Sequence, residues 1–369
     1  MTANTTIAMI LFAGNKDTAD TLDLLLQEVK TGLFQLNAAQ RPGVYCLYRR
    51  LSDEGRLFLV RPKGSPDSPL GTLSGKLSDQ VTQFLDVVKR GLPDSGPVHL
   101  IIGAHGVPAL GFHLTNYFEL LSGHPPGAIA SGSGQPDLTL DELATSLGQL
   151  GRLTSAILHT CYLSGIETMC ALQQATFHIA CENKLKGGMK FSMWFPVLAD
   201  AAATPKQVAD NCFASMTTPG PNAEGTFSSH SLNCIGLLNA LNELGKQLCL
   251  QLGSSNSPAE MVIKAAKSGS SILNDTVDVT EFCGLIAKSR ELPSNCRQAS
   301  AVLAEAVRLM QFGRFTTETY TPMKDYGGIS VYLPMRNGQY YSPELLPKRF
   351  RIGAPDWCAF LKAWGGPAA

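Results

Sequence analysis

Two apolar runs that each end in a reactive group constrain this chain more than any other feature. Residues 98–106 read VHLIIGAHG and deliver His105 and Gly106, while residues 154–165 read TSAILHTCYLSG and deliver Cys161. Both runs are rich in Ile, Leu and Val and bounded by Gly or Pro, as strands buried on both faces of a parallel sheet are. Open α/β sheets collect ligands and catalytic groups beyond the carboxyl ends of such strands. A histidine and a thiol at two such ends can therefore meet although they are distant in sequence.

The flanking sequence has the alternation of an α/β protein. Thr6 to Ala13 reads as a first strand, and residues 18–32 as a helix with Leu22, Leu25, Leu26 and Val29 on one face and Gly32 as its stop. GVYCLYRR and RLFLVRPKG read as strands joined by a turn at Asp53 to Gly55. SDQVTQFLDVVKRG is an amphipathic helix capped by Ser78 and stopped by Gly91, and it leads into the His105 strand. DLTLDELATSLGQL, opened by Asp137 or Thr139, is the helix before the Cys161 strand. CYLSGIETMCALQQ reads as a helix whose N-terminus lies at the thiol, where its dipole would favour the thiolate. TFHIACEN is a further buried strand ending at Glu182, and KLKGGMKF is a loop. Beyond Pro205 the pattern is helical, with one late strand in GGISVYLP. The expected organisation is an α/β catalytic core over residues 1–204 and a mostly helical part over 205–369 that returns a strand at 328–333. Residues 122–136, dense in Gly, Pro and Ser, read as a mobile surface loop beside the site.

Composition narrows the function. With 369 residues, 44% hydrophobic and 16% charged, the chain can bury a large core. Thirty basic and thirty acidic residues cancel, so no global field favours nucleic acid or an anionic membrane. IAMILFAG is too short to span a bilayer and lacks the basic start of an export signal, so it reads as the first strand. A cytoplasmic location is expected on that ground, with delivery as a bacterial effector lacking a signal left open. Ten cysteines occur without a C-x-x-C pair, which argues against a zinc ribbon or redox motif and for reduced, buried thiols. No metal site is expected.

A nucleophilic cysteine must ionise readily, be reachable, and have a partner that handles the proton of the leaving amine. His105 supplies that partner near neutral pH. Gly106 lets its N–H approach a reacting carbonyl, and with the Cys161 N–H it forms a candidate oxyanion hole. Either residue alone reads as a buried thiol or a hydrogen-bonded strand-end histidine. Their placement at two apolar strand ends turns the reading towards catalysis.

HLIIGAHG resembles the strand plus His-Gly signature of the caspase-like cysteine peptidases, and AILHTCYLSGIE resembles their second signature, a strand running into the nucleophilic cysteine. Within that group the chain is most similar to the clostripain-like peptidases. Cys161, the small residues Ser164 and Gly165, and the pair Ile166 and Glu167 fit that family's second signature. LTLDELATSL, IACEN, VDVTEF, GGISVYLP and the closing DWCAFLKAW fit further segments in order. The resemblance implies a mostly parallel caspase-like sheet flanked by helices, with a largely helical C-terminal extension. It also implies hydrolysis of protein or peptide substrates through an acyl-enzyme on Cys161, with His105 as acid and base. It allows calcium, which no pattern in this sequence reads out; otherwise no cofactor is expected, and the chain is expected to be a monomer.

Two departures qualify the resemblance. The family's preference for Arg or Lys before the scissile bond resembles a pocket built on an acid two residues before the nucleophile, and here that position is His159. Residues two apart on a strand share a face, so His159 should line the pocket and weaken the basic preference; a structural histidine bonded to nearby backbone is the competing reading. Relatives are often cut after a basic residue between histidine and cysteine, yet no Lys or Arg occurs from Gly91 to Gly151. The chain therefore works uncut, follows its own altered preference, or is activated by another protease within 122–136. Glu182 is a second pocket candidate, or else a capping carboxylate. Lys184, Lys186 and Lys190 read as a basic rim or, more simply, a solvated loop. Trp357, Phe360 and Trp364 read as core, and Asp278 as a helix start. The expected function is a cysteine endopeptidase; the alternatives are an inactive pseudo-peptidase serving as a binding or scaffold module, and a thiol-dependent transferase on the same sheet.

Overall fold

Thr6–Ala13 is buried at every position and forms β1, as its unbroken apolar run requires. The computed structural model describes residues 5–365 except 108, 114–135, 184, 186–188, 218–224, 253–256, 274, 317–326 and 335–342. The loop expected at 122–136, up to residue 135, and Lys184 and Lys186 lie outside the described residues.

Asn15 caps α1 (Lys16–Gln35) by accepting the Thr18 N–H. The helix runs through Gly32 instead of stopping there, and glycine at 32 admits Phe195: a β-carbon at residue 32 would lie 2.6 Å from that of Phe195. β2 (Gly43–Arg50), β3 (Gly55–Leu59) and β4 (Ser68–Leu73) follow. α2 (Leu77–Arg90) starts after Lys76, ahead of the expected Ser78 cap, and stops at Gly91. β5 (Val98–Gly103) is fully buried and is followed by β6 (His105–Val107), β7 (Gly111–His113) and β8 (Leu138–Thr139). Thr139 and Glu142 close a capping box on α3 (Leu140–Leu147), which leads to β9 (Leu153–His159). Next come α4 (Ile166–Ala171), β10 (Ala175–Cys181), α5 (Phe191–Ala199) and α6 (Pro205–Met216). The remainder comprises β11 (Thr226–Ser231), α7 (Ile235–Cys249), α8 (Pro258–Ser270), β12 (Ser271–Leu273), β13 (Thr276–Asp278), α9 (Val279–Lys288), α10 (Ser294–Met310), β14 (Gln311–Thr316), β15 (Ser330–Tyr332), α11 (Lys348–Gly353) and α12 (Pro355–Gly365).

Among the described residues the main sheet has nine strands in the order β14-β11-β10-β9-β5-β1-β2-β3-β4. Its centre, from β10 to β2, is parallel, and the outer strands add antiparallel. Two of those outer strands, β11 and β14, come from beyond residue 204, where the sequence pointed to helices and one late strand. TFSSHS and QFGRFT lack an aliphatic run, yet β11 is buried along most of its length because both faces are covered. A smaller sheet, β12-β13-β15, carries the late strand that was expected.

Two apolar layers sandwich the main sheet. On one side Leu22, Trp194, Phe195 and Cys212 bring in α1, α5 and α6. On the other Phe84, Leu143, Ile166, Leu241, Phe282, Leu303 and Trp357 bring in helices from α2 to α12. Trp357, Phe360 and Trp364 are fully buried there as core, each such ring contributing roughly 1.5–3 kcal/mol by removal from water. None of the ten cysteines is joined in a disulfide; eight are buried, and Cys161 and Cys249 are partly exposed. Among the described residues no helix is long and apolar enough to cross a membrane.

Candidate active site

β5 and β9 are neighbours with Gly103 opposite His159, so each strand reaches the same edge before delivering His105 or Cys161 two residues later. β1 is the other neighbour of β5. The connection from β1 runs through α1 to β2 on the far side, so strand order reverses between β1 and β5, the crevice where α/β sheets bind ligands.

The two strand ends touch through their backbones. A β-carbon at Gly106 would lie 1.9 Å from the carbonyl oxygen of Cys161 and 3.1 Å from Cγ of Leu163, so only glycine fits. His105 opens β6, and its Nε2 lies 2.5 Å from Oγ1 of Thr18 in the first turn of α1. Across β6 and β7 it pairs with His113, whose Nδ1 is 3.5 Å from Asp137.

Cys161 is partly exposed, whereas most thiols of the chain are sealed in the core. The Leu185 N–H donates to its Sγ at 3.2 Å, and the thiol can donate to the Leu185 carbonyl at 3.7 Å. A backbone donor at sulfur favours the thiolate. The expected helix dipole does not reach the thiol, because α4 begins only at Ile166 and is six residues long. The intervening backbone is committed elsewhere: the Tyr162 N–H donates to Asn183, the Ser164 N–H to Cys181, and the Ser164 carbonyl accepts from Ser330 of β15. Tyr162 adopts φ +59°, a left-handed conformation costing roughly 1–2 kcal/mol in a non-glycine residue. Such strain gathers where a turn must present one side chain.

Glu167, part of the family-like signature, braces this turn. Its Oε1 accepts the Tyr332 N–H at 2.8 Å, tying α4 to β15. Burial pushes its pKa up to about 7.

His159 is only 3% exposed, and burial lowers its pKa to about 4, so its ring is neutral at physiological pH. Its Nδ1 has no hydrogen-bond partner among the described residues, so the backbone bond of the competing reading is absent at that nitrogen. Alternation along β9 places it on the side of Ile157, in the layer with α1. Glu182 lies on the opposite side of the sheet. Its Oε2 accepts the Gly328 N–H at 2.8 Å, and its carboxyl bonds that of Asp278. Burial and the Asp278 charge raise its pKa well above the usual range, which leaves Glu182 the protonated partner. Asp278 caps α9 by accepting the Glu281 N–H at 2.6 Å, the helix-start role read from the sequence. The structure thus brings Gly106, the neighbour of His105 on β6, against the backbone of Cys161, and places His159 and Glu182 on opposite sides of the sheet. Thr18 and Leu185 escaped sequence reasoning: one acts through a contact 87 residues away in sequence, the other through its backbone.

Among the described residues no group of three or more His, Cys, Asp or Glu is placed to hold a metal ion. No protein-family model matches the sequence, and no curated protein does. Solved structures do. An inactive zymogen C11 protease from Parabacteroides distasonis superposes over 96% of this chain and 99% of its own, with TM-score 0.65 and 16% identity. A secreted C11 cysteine protease from Bacteroides thetaiotaomicron, in complex with an irreversible peptide inhibitor, covers 97% and 99%, with TM-score 0.66 and 14% identity. The structure of a secreted C11 cysteine protease of that organism called iotapain covers 98% and 99%, with TM-score 0.67 and 12% identity. The chain has the caspase-like α/β fold of these C11, or clostripain-like, cysteine proteases.

Proposed function

We propose that this chain is a cysteine endopeptidase that hydrolyses peptide bonds through Cys161 and His105. The observation that carries the reading is the backbone meeting of Gly106 with Cys161 at two adjacent strand ends, one bearing an imidazole and the other a partly exposed thiol. The fold shared with C11 proteases, one of them solved with a peptide inhibitor, supports it.

In this mechanism the Cys161 thiolate, favoured by the Leu185 N–H, attacks the substrate carbonyl. The N–H groups of Gly106 and Cys161 receive the developing oxyanion. His105 passes a proton to the leaving amine, and the acyl group stays on sulfur as a thioester. His105 then takes a proton from water, which attacks the thioester and frees the second product.

An unbiased peptide-library digest tests the proposal, with Cys161→Ala and His105→Ala as controls. Cleavage by the unmodified chain and its loss in both variants is expected, together with a covalent adduct on Cys161 from a peptide electrophile. Adduct formation without turnover of any peptide would reassign the chain as a binding module.

A further inference from the structure

The geometry points to Thr18 as the positioning residue of His105: its hydroxyl, 2.5 Å from Nε2, fixes the imidazole so that proton exchange with the thiol and the leaving amine falls to Nδ1. The inference rests on reading Cys161 and His105 as the reacting pair.

A threonine hydroxyl in a helix ordinarily bonds back to the carbonyl four residues earlier. Thr21 does so to Asp17 and Thr31 to Gln27 within this same helix. Thr18, in the first turn of α1, has no helical carbonyl four residues earlier, which leaves its hydroxyl to reach out of the helix to a side chain on β6. Its platform is held at several points. The Thr18 N–H donates to Oδ1 of Asn15 at 2.9 Å, and the Tyr48 hydroxyl bonds the Ala19 carbonyl at 3.1 Å and Asp23 at 2.8 Å. One turn on, Leu22 packs so tightly on Gly103 that a β-carbon there would lie 2.6 Å from its Cδ2. Thr18 therefore stands on a fixed element beside β5, across the crevice where strand order reverses.

A hydroxyl suits the task because it both donates and accepts. With Nε2–H donating to Thr18, neutral His105 presents a lone pair at Nδ1. After Nδ1 gains a proton, Nε2–H still donates to the same oxygen, so one contact orients both protonation states and stabilises the cation. Among the described residues, titratable groups near this histidine include His113, opposite it on β7, with its partner Asp137, and Cys161, whose carbonyl meets the adjoining Gly106.

The test uses the full chain with Thr18→Val, which keeps the β-branch and removes the hydroxyl, Thr18→Ser, which keeps the hydroxyl, and Thr18→Ala as a second deletion. On a fluorogenic peptide taken from the library digest, kcat should fall on the order of tenfold or more in Thr18→Val, with KM within about twofold, and recover in Thr18→Ser. Loss of the acceptor disfavours the imidazolium, so the pH midpoint for alkylation of Cys161 by iodoacetamide should rise in Thr18→Val and Thr18→Ala. Unchanged kcat and midpoint in the deletion variants would overturn the inference, as would an equal loss in Thr18→Ser. Turnover retained in His105→Ala would instead sink the underlying reading, so the two failures are distinguishable.

Discussion

Gly106 and Cys161 approach so closely that a side chain on the first would collide with the carbonyl oxygen of the second, 1.9 Å from where its β-carbon would sit. Neither backbone can yield easily, since the turn after Cys161 is anchored to β10 and β15. Gly106→Ala should therefore push the strand ends apart, costing about 1–3 kcal/mol of stability. The misplaced amide should lower kcat by on the order of 100-fold or more. Gly148→Ala is the control, because residue 148 has helical backbone and open space around it. Thermal unfolding and peptide hydrolysis of both variants check this, and a fully active Gly106→Ala would refute it.

Thiol reactivity should be selective. Burial drives the thiols of Cys46, Cys212 and Cys283 far above the usual range, and that of Cys358 up to about 11. Cys161 is partly exposed and receives the Leu185 N–H. Brief iodoacetamide treatment at pH 7.5 should modify Cys161 first and Cys249, the other partly exposed thiol, more slowly. Peptide mapping by mass spectrometry measures the order, and first modification at any buried cysteine would contradict it.

The strands that lead to the candidate site were legible because they are buried on both faces and carry runs of mostly apolar residues. β1, β5 and β9 announce themselves that way, and so do the two groups beyond β5 and β9. β11 was illegible because its Ser228, Ser229 and His230 are buried by neighbouring elements, not by their own hydrophobicity. The turn after Cys161 reads as helix because it runs into a segment that is helical, Ile166–Ala171, while its first residues are held by Asn183, Cys181 and Ser330. Those partners are remote in sequence, and a hydrogen bond between remote residues leaves no periodic trace. Thr18 is hidden for the same reason.

The brace at Glu167 should make stability depend on pH. Its folded pKa, about 7 against 4.5 ordinarily, means the folded state holds the proton where the unfolded state has lost it. That contribution is fully present below about pH 4.5 and is lost as pH rises to about 7. At 1.36 kcal/mol per unit the loss is on the order of 3 kcal/mol. Glu167→Gln, which keeps an acceptor for the Tyr332 N–H, should lack this component. Urea unfolding of both proteins at pH 4.5 and 7.5 measures the difference, and Glu182 acts in both alike. Parallel pH dependences would show that Glu167 does not titrate as described.

If the proposed mechanism holds, His159, the last residue of β9 and two residues before the thiol, is the residue expected to set substrate preference. The ring is neutral until the pH falls to about 4, so it offers an incoming Arg or Lys no counter-charge and an incoming carboxylate no cation. Fluorogenic peptides differing only before the scissile bond should therefore be cut fastest after a neutral residue, and the ranking should hold from pH 5.5 to 8. His159→Asp should raise the ratio of Arg to neutral cleavage about tenfold or more, equivalent to about 1.4 kcal/mol of differential binding. Because residue 159 is buried, a carboxylate there is stabilised only once a cation arrives, so the gain should appear mainly in kcat/KM for basic substrates. Fastest cleavage after Arg by the unmodified chain would mean that a different carboxylate sets the preference, and an unchanged ratio in His159→Asp would remove residue 159 from the pocket.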